Sequence, residues 1–253
     1  MAFDPVFARD VALPLAQAAY TVMDGSPAVL PAGFHQTSLI QADAVVLTAM
    51  TDPHPAVAAM TKDTNIFGLL GQNPASRTAF LSFRGTSDVA EWVADIDAIP
   101  DDYRPISGFG QVHSGFQGVY QLVRANIATN LAAATAGCDR ILVTGHSLGA
   151  ALAVLAAPDI ARTMPPNTIE PQLITFAGPR VGVSDFAATF NALIESCYRV
   201  VNFLDIVPYL PPAPYVHVGA QITVDSGGAV QIGWRHSLAA YHNGLSADVA
   251  AQQ

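Results

Sequence analysis

Three short apolar runs constrain this chain most: ILVTGH (141–146), QLITFAG (172–178) and YRVVNFLD (198–205). None of them alternates. A strand with one wet face alternates apolar and polar residues, whereas one that is apolar throughout is covered on both faces, as in a parallel sheet between helices. Helical stretches separate the runs, so right-handed crossovers onto one sheet are the expected topology. DAVVLTAM (43–50), NIFGLLG (65–71) and RTAFLSFRG (77–85) read as further strands, with a hairpin at Asn73-Pro74 between the last two. A long helix is expected from about Gly115 to Ala134. ITVDSGGAVQI (222–232) reads as a second hairpin on Gly227-Gly228, and HSLAAYHNGL (236–245) as a short helix or loop. Near the N-terminus, ARDVALPLAQAAY predicts a packed amphipathic helix interrupted by Pro14. No repeat or low-complexity linker divides the chain, and 253 residues suit a single α/β domain.

The first of these runs leads into GHSLG, Gly145 to Gly149, and then LGAALAVLAA, a helix that Pro158 is expected to stop. A serine between two glycines is weak evidence alone. Between a strand and a helix it fits a nucleophile elbow, in which the serine rides a tight turn. Gly145 and Gly149 lack a Cβ and so let strand and helix approach closely. A serine hydroxyl still needs a base, an acid to orient the base, and donors for the oxyanion. Elbow folds order these as Ser, Asp or Glu, then His along the chain, and Leu148 supplies one N–H at the helix start.

Asp205 is the best-placed acid, at the end of YRVVNFLD, because the ligand crevice lies outside the carboxyl ends of parallel strands. Asp225 falls at the tip of the expected hairpin and Asp185 in a loop. His35, His54 and His113 precede the serine and fail the chain order. His146 adjoins Ser147, and successive side chains of an extended segment point opposite ways. His217 sits in the strand-like YVHVGAQI, where a buried structural role is expected. His236 and His242 are left, and spacing does not choose between them.

Composition narrows the partners. A formal charge of −9 with Lys62 as the only lysine excludes a phosphate-binding surface, so nucleic acid is not expected. No apolar run reaches the ~18–20 residues of a spanning helix. The N-terminus carries Asp4 and Asp10 where a signal peptide would be apolar, and reads as mature protein. Hydrophobic residues make up 51% and charged residues 12%, enough for a large core with apolar surface to spare for a greasy substrate. Cys138 and Cys197 precede strands expected two places apart, ~9–10 Å from each other, which is too far for a disulfide, so free thiols are expected. No His, Cys and Asp spacing suggests a metal.

These residues resemble the class 3 lipases, the fungal-type triacylglycerol lipase family. The similarity covers roughly residues 40 to 245 through FRGTSDVAEWVADI, VHSGF, VTGHSLGAALA, TFAGPRVG, YRVVNFLDIVPYLPP and HSLAAY. It implies an α/β-hydrolase fold, no cofactor, and hydrolysis of carboxylic esters, typically acylglycerols. Phospholipase A1 or another acyl-transfer hydrolase, such as a thioesterase, is the alternative. By position the resemblance implies Ser147 as nucleophile, Asp205 as acid and His236 as base, since the family places a histidine shortly before a tyrosine, here Tyr241; His242 ranks second. It also implies Thr86 as the second oxyanion donor beside Leu148, where many relatives carry Ser, and places His113 of VHSGF beside the site as structure.

After Thr86, the residues Val89, Trp92, Val93 and Ile96 recur at helical spacing, and Asp88 with Glu91 resembles a helix start. The family places its lid here, so a lid helix is expected at about 87–99. The expected partners are a lipid or ester substrate and transient contact with a lipid–water interface, for a monomeric chain. The expected location is soluble: secreted, on the family pattern, or cytoplasmic.

Overall fold

The computed structural model describes residues 2–43, 45, 47, 54–62, 64–86, 99–165 and 169–251. Seven strands form its main sheet: β1 (His35–Gln41), β2 (Ile66–Asn73), β3 (Thr78–Phe83), then β6 (Arg140–His146), β7 (Glu170–Phe176), β8 (Cys197–Asn202) and β9 (Ala220–Val224), in the spatial order β1-β2-β3-β6-β7-β8-β9. Two short strands, β4 (Pro100–Asp102) and β5 (Gln111–His113), pair separately. The hairpin at Asn73-Pro74 makes β2 and β3 antiparallel, and β1 joins β2 antiparallel at the edge. From β3 to β9 every neighbouring pair is parallel.

Helices cover both faces, which is why β6 and β7 are apolar almost throughout. On one face pack Ser114–Ala134 (here α3) and Leu148–Arg162 (α4), with Phe116, Val119, Leu152 and Leu155 against Leu81, Ile141 and Val143. On the other, Leu15, Ala16 and Ala19 of the helix Leu13–Thr21 (α1) and Tyr241 and Leu245 of the helix Leu238–Ala251 (α7) meet Leu69, Phe80 and Leu142. Among the described residues the remaining helices of seven residues or more are Pro55–Thr61 (α2) and Ser184–Leu193 (α5), and a short turn, Ile232–Arg235 (α6), precedes α7. No described helix is long and apolar enough to cross a membrane.

Several expectations need correction. The edge strand is HQTSLIQ, not DAVVLTAM: Val45 and Leu47 are helical, the Asp43 carboxylate accepts the Val45 amide at 2.8 Å, and the rest of 44–50 lies outside the described residues. Short apolar runs do not separate helix from strand by periodicity, and an Asp at the start favours the helical turn. Pro14 does not interrupt its helix. A π-turn at Ala8–Ala12 precedes α1, and Pro14 then falls in the first turn of α1, where a missing N–H costs least.

Pro158 does not end α4, which runs to Arg162. The turn after it is held by buried Asp159, which accepts from Arg124 at 2.7 and 3.0 Å, from Tyr120 at 2.8 Å and from Thr163. The second hairpin is also absent. β9 lies parallel to β8, and after Gly227 and Gly228, both at positive φ, the chain turns into α6. Arg235 donates to the Ala229 carbonyl at 2.9 Å and takes the place of a returning strand. Asp185 stands in the first turn of α5 rather than in a loop. Cys138 and Cys197 are free, as expected: Cys138 lies just before β6, Cys197 opens β8, and β7 runs between those two strands.

Candidate active site

The parallel strands end on one side of the sheet, and the expected site residues follow those ends. Phe83, Gly145 and Thr175 share a row of the ladder. Beyond it lie Thr86 after β3, Ser147 after β6 and Asp205 after β8. Ser147 has φ 59° and ψ −129°, a conformation that L-residues rarely hold without support from their surroundings. The support is visible. Its amide donates to the Phe176 carbonyl at 3.0 Å. A Cβ on Gly145 would lie 2.4 Å from the Gly149 carbonyl oxygen, and one on Gly149 would lie 2.4 Å from that of Phe83. Both glycines are needed for α4 to press its first turn onto β6 and β3. Ser147 occupies the N-cap position of α4 but makes no capping bond, and its buried Oγ has no hydrogen-bond partner among the described residues.

Asp205 follows β8 by three residues, its amide donating to the Asn202 carbonyl at 3.0 Å. Its carboxylate is fully buried and accepts from His236 Nδ1 at 3.0 and 3.1 Å, the Tyr241 hydroxyl at 2.7 Å and the Val207 amide at 3.1 Å. A carboxylate only accepts, so Nδ1 carries a proton, and in the neutral ring Nε2 holds the lone pair. That Nε2 is buried with no partner among the described residues. His242 stands exposed on α7. Asp225 instead accepts from Gly227 and Arg235, and Asp185 from the Gln111 amide.

Thr86 is buried, and Leu148 opens α4, where first-turn amides have no partner within the helix. Arg84 anchors the turn between β3 and Thr86. Its guanidinium donates to the carbonyls of Gly85 at 2.9 Å, Ile66 at 2.6 Å and Met60 at 2.5 Å, and lies 5.2 Å over Phe67. A Cβ on Gly85 would meet the Tyr20 hydroxyl at 2.5 Å and the Ser147 Cβ at 3.1 Å, so the turn packs directly against the elbow.

Sequence reasoning set His146 aside as pointing away, and it is not placed to act as a base. It nonetheless braces the site. Its Nε2 donates to the His236 carbonyl at 2.6 Å, which leaves Nδ1 to accept from the Tyr20 hydroxyl at 2.9 Å. Burial, and then His236, hold its pKa well below the usual histidine value, so the ring stays neutral. Arg235, which the sequence did not single out, ties the same region together. It is buried and donates to the Phe203 carbonyl at 3.2 Å, Ala229 at 2.9 Å and Asp225 at 2.6 Å, while its own carbonyl accepts from the Asn202 side-chain Nδ2 at 2.8 Å. Its position next to the candidate base was the available signal.

The other histidines have structural partners or face solvent. His113 and His54 cap α3 and α2 through Nδ1, His217 donates to the Pro208 carbonyl at 2.6 Å, and His35 is exposed on β1. Val89, Trp92, Val93 and Ile96 of the expected lid lie outside the described residues.

A mostly parallel sheet with an elbow at the end of β6 is the architecture of the α/β-hydrolase fold, and solved structures bear this out: the Rhizomucor miehei lipase propeptide complex superposes with a TM-score of 0.63 and 27% identity over 84% of this chain and 66% of that one. The family model for lipase (class 3) matches residues 80–215, and the chain belongs to that family. Among curated relatives, the Rhizomucor miehei lipase is 34% identical over 177 residues, covering 67% of this chain and 48% of that protein. Phospholipase A1-II 7 of Oryza sativa subsp. indica is 30% identical over 203 residues, covering 66% and 49%. The chain spans about half the length of these relatives.

Proposed function

We propose that this chain hydrolyses carboxylic esters of lipids, with Ser147 as nucleophile, His236 as base and Asp205 as the acid that orients it. The reading is carried by two features at the same end of the sheet: a serine at an otherwise unfavourable φ, whose buried Oγ is not used as a helix cap, and a histidine whose Nδ1–H is held by a buried carboxylate. His236 Nε2 takes the Ser147 proton as Oγ attacks the ester carbonyl. The Thr86 and Leu148 amides receive the oxyanion, and Asp205 stabilises the imidazolium that forms. The alcohol then leaves with the proton from His236. Water, activated by the same Nε2, cleaves the acyl-enzyme and restores Ser147.

Ser147→Ala should abolish hydrolysis of nitrophenyl esters and leave the melting temperature within a few degrees; retained turnover would overturn the assignment. A chain-length series of such esters, run beside emulsified triacylglycerol and phospholipid, separates the triacylglycerol lipase reading from phospholipase A1 and short-chain esterase. The amphipathic stretch at 87–99 is proposed as a lid. Its signature in the same series is a jump in rate as the ester passes its solubility limit, and a smooth saturation curve counts against it.

A further inference from the structure

Arg199 of β8 is a buried cation without a counter-ion among the described residues. It is 8% exposed, and its Nε donates to the Val218 carbonyl at 2.7 Å. One terminal nitrogen is buried with no hydrogen-bond partner among the described residues, and it forms no ion pair among them. An arginine cannot shed its proton to escape such a setting, and a buried guanidinium is tolerated where its charge and its donors are matched. The nearby groups do not match it. Arg180 adds a second positive charge, and Cys197 is a neutral thiol whose pKa burial pushes up to about 12. His217 is pushed down to about 4, chiefly by burial and then by Arg199, and is neutral near pH 7.

Arg199 lines a cavity of about 10 Å³ together with Thr175, Gly178, Val181, His217 and Val218. That volume is close to the minimum that holds one water, so the cavity takes a single particle of about that size and not a sulfate or phosphate. We infer that this cavity is a binding site for a single small monovalent anion of the halide class, held by the Arg199 guanidinium. The wall carries the Arg199 guanidinium and, among the described residues, no carboxylate, which selects an anion over a cation; a neutral water would leave the charge of Arg199 uncompensated. The site lies behind the elbow. Ala150, three residues after Ser147, is also in its wall, and a Cβ on Gly178 would sit 2.9 Å from that of Ala150. Occupancy would therefore tighten the packing of β7 and β8 against α4, independently of which ester the enzyme takes.

The test is thermal unfolding of the whole chain as sodium chloride replaces sodium gluconate at constant ionic strength. A ligand that binds only the folded state raises its stability, so the melting temperature should climb by about 2–4 °C as the site fills. Bromide should substitute for chloride and sulfate should not, beyond its general stabilising effect. Chloride-35 NMR of the unmodified protein should show line broadening that bromide relieves. Arg199→Met and, should that fail to fold, Arg199→Gln should abolish both responses. A melting temperature indifferent to chloride, absent broadening, or a folded Arg199 variant that retains either response would overturn the site.

Discussion

At the scale of single residues, the candidate base is held less by its own side chain than by its neighbours. The His236 carbonyl accepts from His146, the Arg235 carbonyl accepts from Asn202, and the Arg235 guanidinium reaches back to the strand-end residue Phe203 and to the turn at Asp225. Arg235 thus ties the loop that carries Asp205 to the segment that carries His236. Arg235→Met should lower kcat by roughly 10- to 100-fold with KM nearly unchanged, because small misplacements of a catalytic group are costly even when substrate binding is intact. Arg235→Lys should recover only part of the loss, since an ammonium does not reproduce the planar fork that reaches several acceptors. Steady-state kinetics on one nitrophenyl ester decide this, and a KM effect alone would count against positioning. Ser147 and Asp205 were candidates in the sequence because the chemistry demands their order and types, whereas His236 stood ahead of His242 only through the family resemblance. The roles of Tyr20, His146 and Arg235 were not legible there. They act through contacts with residues up to 126 positions away, and no local pattern encodes such contacts.

At the scale of elements, β6, the elbow and α4 form one unit whose geometry depends on two missing methyl groups. Gly149→Ala would force a Cβ to within 2.4 Å of the Phe83 carbonyl oxygen, and that neighbour is backbone, which cannot swing aside. The substitution should destabilise the protein by about 3 kcal/mol or more, beyond ordinary overpacking, and chemical denaturation with a parallel esterase assay should show both properties falling together. Strands buried on both faces were readable because apolar residues dominate them without strict alternation. The failures share a cause. The described residues Asp43, Val45 and Leu47 and the segment after Gly227-Gly228 belong to short runs, and their conformation is chosen by partners: the Asp43 cap in one case, Arg235 in the other. Pro14 and Pro158 misled in the opposite direction, since a π-turn and the buried Asp159 network accommodate rings that local rules treat as breaks.

At the scale of the whole molecule, the sheet separates two apolar cores, and within or beside them His113 and His146 are buried and His217 half-buried, all in neutral form. Burial, followed by His54, lowers His113 to about 4. Burial and Arg199 lower His217 to about 4, and His146 is held well below its usual value. Each group binds a proton more readily unfolded than folded, so the unfolded state carries more protons below about pH 6.5. Stability from these groups is therefore complete above that pH and is lost as the pH falls towards about 4. Denaturant midpoints should decline across that window, and His113→Asn, which keeps a capping acceptor, should flatten the decline; an unchanged slope would exclude His113 as a contributor.

The amino-acid sequence by itself determined the layered α/β architecture and the chemical identity of the candidate site, because both are written in local patterns: unbroken apolar runs, glycines at a tight turn, and a fixed order of nucleophile, acid and base. Only the tertiary structure decided which histidine meets Asp205, what braces it, and where a charged Arg199 is left facing a cavity, because each depends on strands and helices distant in sequence converging at the same end of one sheet.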